Sequence, residues 1–223
     1  MTFPSDTIRN RLKNSKTRFY CNDNINEAMD GIDMDALVDE VAGKMQGVLE
    51  SLVIDTDNDH NTQDTARRVA KMFVKETFAG RYLPQPKITA FPNANKYDEI
   101  YVTGPITIRS TCAHHFQGIR GRAYIGVFPG NNVIGLSKFN RIVHWISARP
   151  QIQEEMTIQI ADAVMDVTQA EGIAVLVQAE HMCMTMRGVM EHDSDMTTSV
   201  MRGKFRDYPH IKKEFFDIVA RMK

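Results

Sequence analysis

Two short stretches of this chain gather thiols and imidazoles at spacings that could hold a metal ion. Ser110-Thr111-Cys112-Ala113-His114-His115 is answered far downstream by His181-Met182-Cys183. Cysteine sulfur and histidine nitrogen are preferred ligands of Zn²⁺, and three protein ligands with one open position form the catalytic arrangement. A lone free cysteine is usually a buried apolar residue. Here each cysteine has a histidine beside it, so the set offers ligands together with groups that move protons near neutral pH. Cys112, Cys183 and one imidazole would make the triad, and spacing alone does not separate His114 from His115 as the third ligand. A metal held this way would keep a position for water and lower its pKa. The imidazole left over and His181 would then be the acid/base pair.

A second cluster is cationic. Ser137-Lys138-Phe139-Asn140-Arg141 falls at a helix start, where free backbone N–H groups and the helix dipole favour an anion. Lys138 and Arg141 are three apart and share a face. Arg187 follows Cys183 by four residues, on the same strand or its loop, and Arg149 and Arg68 are weaker members. Singly these are surface charges. Beside a metal they suit a phosphorylated substrate. Gln153-Glu154-Glu155 offers acceptors for a polar heterocycle, and a carboxylate matches the paired N–H donors of a guanine edge.

The elements that must position these residues follow from periodicity. Residues 1–30 are polar, without a clear period, and read as a mobile arm. From Asp33, the residues Leu37, Val38, Val41, Met45, Val48, Leu49 and Leu52 recur at helical steps. Residues 55–61 resemble a calcium loop only superficially and read as a solvated loop. Asp64 or Thr65 could cap a second helix running toward Phe78. Residues 80–97 hold three prolines and read as a connection. Strands are expected at 100–102 and 106–108, pairing with 122–128 across a turn holding Gly118 and Gly121. Residues 129–132 read as a turn. Ser137 is the expected cap of a helix through Ile146, and Pro150 is expected to open a longer helix ending at Gly172. A strand from Ile173 leads to the second metal half, another strand lies near 197–201, and a helix over 208–222 closes the chain. The whole is α+β.

The bounds are those of an ordinary globular protein. A chain of 223 residues with 43% hydrophobic and 25% charged content can bury one good core. A formal net charge of −1, with no interleaved basic-aromatic stripe, argues against nucleic acid as a partner. No apolar run approaches the roughly 18 residues of a membrane span, and the polar first residues lack the apolar centre of a signal peptide. Three cysteines are too few for a disulfide framework. A cytoplasmic protein with no membrane partner is the expectation.

At this point the residues carry a family likeness. Ser110-Thr111-Cys112-x-His114-His115, Gly135-Leu136-Ser137-Lys138-Phe139-Asn140-Arg141, Arg149-Pro150-Gln151-x-Gln153-Glu154 and His181-Met182-Cys183-Met184-x-Met186-Arg187-Gly188 together resemble GTP cyclohydrolase I. The stretches from Asp64 to Met72 and from Thr197 to Phe205 match as well. The likeness covers roughly residues 33 to 221.

The resemblance implies a tunnelling fold, an antiparallel sheet with helices on one side whose subunits assemble into a barrel, preceded by an N-terminal helical segment. The corresponding division is a flexible arm over 1–32, a helical segment over 33–90 and a catalytic domain over 91–223. It implies a homodecamer of two pentamers with active sites shared between subunits. It implies that GTP and water give 7,8-dihydroneopterin triphosphate and formate. Carried over by position, Cys112, His115 and Cys183 are the Zn²⁺ ligands, and His114 and His181 are the acid/base residues. Gln153 and Glu154 fall in the guanine-recognition segment, and Ser137, Lys138, Arg141 and Arg187 contact triphosphate and ribose. Two positions depart from the pattern. Ala113 stands where the family usually has Glu, and Ala66 where it commonly has Pro. The ligand positions are intact, so the zinc site is expected to persist and the change at Ala113 to fall on the rate or completeness of the reaction. Other readings are a related enzyme that stops at a formylated, ring-opened intermediate and a zinc and nucleotide binder without turnover. The retained His114 and His181 count against the latter.

Overall fold

Helices come first in this chain and the main sheet second, and the computed structural model, which describes residues 2–222, parts them between Pro84 and Gln85 into two units.

The first unit is helical. It comprises α1 (Pro4–Asn14), a 3₁₀ turn (Asn26–Met29), α2 (Met34–Ser51), α3 (Thr65–Met72), a π-helical stretch (Phe73–Thr77) and α4 (Ala79–Tyr82). Asp33 starts α2 by accepting a hydrogen bond from the backbone N–H of Asp35, one of the four donors a helix start leaves free. Asp64 holds the corresponding position before α3 without a capping bond and pairs with Arg68 instead. The segment expected to be a flexible arm contains α1. Ile8 and Leu12, four apart on one face, are buried with Leu37, Val38, Ala70 and Val74. Two buried side chains among charged neighbours make a weak periodic signal, yet they suffice to dock the helix. Glu40 of α2 secures it further, accepting from the backbone N–H of Ser5 at 2.9 Å and its hydroxyl at 2.6 Å. Residues 55–61 are a loop as expected, with Asp55 and Asp59 accepting from Asn58 and Asn61 nearby.

The second unit carries β1 (Ala90–Pro92), β2 (Tyr101–Cys112), β3 (Gly118–Phe128), β4 (Asn132–Ile134), α5 (Leu136–Ser147), β5 (Pro150–Gln151), α6 (Gln153–Thr168), β6 (Gly172–His181), α7 (Met182–Thr185), β7 (Asp195–Gly203), α8 (Lys204–Asp207) and α9 (Pro209–Arg221). The main sheet runs β5-β2-β3-β6-β7, and β1 pairs with β4 separately. The two short runs read as strands are one continuous β2, bulged between Thr103 and Ile106. Gly118 and Gly121 lie in β3 rather than in a turn. At Gly121 a Cβ would meet the Gln178 carbonyl oxygen at 2.2 Å, so glycine there permits close approach of β6. Pro150 opens no helix. It sits in the short edge strand β5 opposite Thr111, where a missing N–H is tolerated. Gly135, not Ser137, precedes α5, and Ser137 lies inside the first turn. The connection over 80–97 also contains β1 and the end of α4.

One face of the sheet presents Ile108, Ile119, Ile125, Val175 and Val177 to α5 and α6, through Phe139, Ile142, Met156, Ile160 and Val164. Strand alternation sends Tyr124, Ala174 and Leu176 to the opposite face, where Phe205, Phe215 and Val219 of α8 and α9 cover them. The expectation of helices on one side alone therefore holds for α5 and α6 and not for α8 and α9. The rest of that second face is polar and open. Thr107, Arg109, Arg120, Arg122, Gln178 and Glu180 line a concavity of about 920 Å³. Among the described residues no helix is long and apolar enough to cross a membrane.

Candidate functional site

Cys112 is the last residue of β2, and His181 the last of β6. The strand between them, β3, aligns Thr111 with Gly118 on one side and Ile119 with His181 on the other. Sheet register thus brings the two halves of the thiol-imidazole signature to one end of the sheet despite their separation in sequence. The chain then reverses at each half. After β2, residues 113–117 turn tightly, with the Cys112 carbonyl accepting from Phe116 at 2.9 Å and the Cys112 N–H donating to Gln117 at 2.8 Å. Phe116 takes φ +53°, a left-handed conformation rare for a non-glycine residue. After β6, the single turn of α7 brings in Cys183.

One donor atom each from Cys112, His115 and Cys183 lies within 4.8 Å of the others. Cys112 is buried, Cys183 half-buried and His115 exposed, so the group is anchored in the core and open on one side. Neither cysteine is in a disulfide, and the third, Cys21, is exposed and free. Burial, with the adjoining Cys112, pushes the Cys183 thiol up. Two thiols and an imidazole this close fit a tetrahedral soft-metal site with its fourth position open. The structure therefore separates the adjacent histidines that spacing could not. His115 joins the triad, while His114 stands beside it with Nδ1 3.8 Å from the Cys112 sulfur.

His181 lies next to this group, half-buried, with Nε2 2.8 Å from the Gln153 side-chain oxygen. Burial pushes its pKa down, against the opposing charge of Glu154. Glu154 is exposed in the first turn of α6, whereas Gln153, expected at the substrate, is fully buried beneath His181. Arg187 is exposed after α7 and reaches His115, Nη1 to Nε2, at 3.1 Å. Ser137, Lys138 and Arg141 sit on the first turns of α5, with Ser137 and Arg141 exposed. No hydrogen bond or ion pair within the described residues joins these three to the triad.

Gln151, which the sequence offered only as part of a motif and without a role, ties this end of the sheet together. Its side-chain Nε2 donates to the Ile146 backbone carbonyl at 2.8 Å and to the Ser110 hydroxyl at 3.1 Å, and its backbone carbonyl accepts from the Ala113 N–H at 3.1 Å. Thr157 and Thr198, which bond to Gln153 and to each other, were missed as well. The available signal was a threonine on the otherwise apolar face of α6.

Comparison with known proteins agrees in extent. A family model described as GTP cyclohydrolase I matches residues 41–220. The GTP cyclohydrolase 1 of Flavobacterium johnsoniae is 40% identical over 183 residues, covering 82% of this chain and 81% of the relative. That of Haemophilus ducreyi is 39% identical over 190 residues, covering 85% and 87%. That of Photobacterium profundum is 42% identical over 173 residues, covering 77% and 79%.

Proposed function

The chain belongs to the GTP cyclohydrolase I family, and from that premise we propose a division of labour among its residues. The protein is an enzyme, a GTP cyclohydrolase. It opens the imidazole ring of GTP at C8, releases that carbon as formate and yields 7,8-dihydroneopterin triphosphate. The observation that carries the site is the convergence of Cys112, His115 and Cys183 at the end of the sheet.

These three residues would hold zinc, which thiolate ligands favour. When bound, zinc supplies Lewis-acid activation of water near neutral pH. His114 and His181 carry protons to and from the purine ring and its opened products, since an imidazole can both give and take a proton. Glu154, exposed at the start of α6, accepts from the guanine N–H edge. Ser137, Lys138, Arg141 and Arg187 hold the triphosphate and ribose, so that binding energy far from C8 positions the ring. The catalytic domain spans residues 91–223.

Several features support assembly into a barrel of subunits, a decamer of two pentamers with shared active sites. Strand β7 ends the main sheet on one side, and two-residue β5 barely covers β2 on the other. Such edges pair readily with another chain. Met186, Val189 and Met190, just past Cys183, are 62–77% exposed and apolar, as an interface beside the site requires. A cytoplasmic location accords with a chain whose described helices are not of membrane-spanning character.

The test is to give zinc-loaded protein GTP and follow formate together with the fluorescence of the oxidised pterin. Equal yields are expected. GTP consumed with neither formate nor pterin would replace this reading with an enzyme that stops at the formylated, ring-opened intermediate, and GTP bound but unchanged would replace it with a binding protein.

A further inference from the structure

Gln153 opens α6 yet is completely buried, so its side-chain amide must find its partners inside the protein. Its amide nitrogen lies 2.9 Å from the carbonyl oxygen of Met196, 3.1 Å from that of Val177 and 3.1 Å from Oγ1 of Thr198. Backbone carbonyls only accept, so the nitrogen of the amide must be at this end and its oxygen at the other. The hydroxyl partners agree. Thr157 donates to the Gln153 backbone carbonyl at 2.7 Å, which uses its single hydrogen. In the 2.7 Å contact between the two threonine hydroxyls the donor is therefore Thr198, leaving the Thr198 oxygen to accept from Gln153.

The Gln153 side-chain oxygen is thereby fixed toward His181, 2.8 Å from Nε2. An amide oxygen carries no hydrogen, so this bond requires a proton on Nε2. We propose that Gln153 is a positioning residue that holds His181 in its Nε2–H tautomer, leaving Nδ1 as the ring's hydrogen-bond acceptor. Three elements set this orientation, namely α6, β6 through Val177 and β7 through Met196 and Thr198. With both ends of its side chain engaged in this way Gln153 has no polar group left for a purine, and the carboxylate assigned to guanine above is that of the exposed Glu154 beside it. The catalytic consequence rests on His181 being a proton carrier, as assigned above. The tautomer itself does not.

The test is a ¹⁵N spectrum of zinc-loaded protein labelled at its histidine nitrogens, taken at about pH 8, above the ordinary histidine pKa. The His181 signals are identified by their loss in His181→Asn. The expected result is a protonated Nε2 and an unprotonated Nδ1, and the reverse pattern overturns the proposal. In Gln153→Met, which fills the space without an acceptor, the tautomer preference should disappear. There kcat should fall about 10–100-fold, the usual loss when a hydrogen-bond partner that orients a site residue is removed, with KM for GTP unchanged. A raised KM at unchanged kcat with the tautomer intact would make Gln153 a substrate contact and overturn the proposal. The wild-type spectrum decides the tautomer even where the variant does not fold. If wild-type protein makes no pterin while showing the expected tautomer, the positioning role stands and the assigned reaction fails.

Discussion

Arg187 and His115 meet side chain to side chain, Nη1 to Nε2, at 3.1 Å. A guanidinium only donates, so Arg187 holds its charge at the rim of the Cys112–His115–Cys183 triad, where an incoming triphosphate would find it. A hydrogen bond to a charged group contributes about 1.5–3 kcal/mol, equivalent to roughly a 10–150-fold change. Arg187→Ala should therefore raise KM for GTP by that order while bound zinc stays the same. Zinc lost together with activity, at unchanged KM, would show that Arg187 serves His115 and not the nucleotide.

Removing the metal should abolish formate release without unfolding the chain. Cys112 is one small member of a cluster that also buries Ile108, Ile119, Ile125, Ile142 and Ile146, so most of the core remains without its sulfur. Cys112→Ala and Cys183→Ala should each lose zinc by atomic absorption and lose turnover while keeping the far-ultraviolet circular dichroism of the parent. A chelator should do the same to the parent protein, and added zinc should restore it. Turnover persisting in the metal-free protein would refute the ligand assignment.

How much of this was legible beforehand depended on whether a residue type has one meaning or two. Apolar periodicity identified α2, α6 and α9, because buried faces at 3.6-residue spacing have few other causes. The paired thiol-imidazole motifs were legible because ligand chemistry restricts residue type. Glycine and proline were misplaced since each serves both turns and crowded or edge strands. Gly121 is there for the Gln178 carbonyl, and Pro150 for an edge pairing with Thr111. Gln153 was ambiguous in the same way. A polar side chain near a site can face the ligand or be sealed beneath its neighbours, and only the packing of β6 and β7 decides. Helix α1 escaped notice because it is held by two apolar side chains and by Glu40, a partner distant in sequence.

Ala113 offers a gain-of-function test. Its backbone N–H is tied to the Gln151 carbonyl at 3.1 Å, so the main chain there is held whatever side chain it carries. The position is half-buried between Cys112 and His114, where a carboxylate would accept from neighbouring donors. Groups that orient ligands from behind are worth on the order of 10–100-fold. Ala113→Glu should raise turnover by about tenfold, with zinc content unchanged. Equal rates in the two proteins would mean that the position does not limit this site.

Glu40 predicts how α1 responds to acid. Burial pushes its carboxyl up, but hydrogen bonds from Lys44 and from the Ser5 hydroxyl and N–H outweigh this and leave it below its ordinary value. Its folded pKa is thus lower than its unfolded one. Its contribution is fully present above the ordinary carboxylate pKa of about 4.3 and is lost as pH falls through the lower folded value. Hydrogen exchange over Pro4–Asn14 should therefore lose protection in that acid window, after correction for intrinsic exchange rates. Glu40→Gln should show weaker protection already at neutral pH and little further change on acidification. Equal protection in the two proteins at neutral pH would remove Glu40 from the docking of α1.

Tyr101 carries a polar atom that its surroundings do not use. Its ring packs edge-on against Phe139 at 6.4 Å, and its hydroxyl is buried with no hydrogen-bond partner among the described residues. Burial pushes its pKa to about 12, with Tyr97 adding to the shift. An unpaired buried hydroxyl costs about 1–3 kcal/mol, whereas the ring itself contributes through packing. Tyr101→Phe keeps the ring and removes the orphan, so it should stabilise the protein by about 1 kcal/mol. Phe139→Ala removes the ring's partner from a fully buried position and should destabilise it by about 3–5 kcal/mol. Urea unfolding of the two variants beside the parent measures both. A Tyr101→Phe protein less stable than the parent would mean that the hydroxyl has a partner in solution, most simply a buried water.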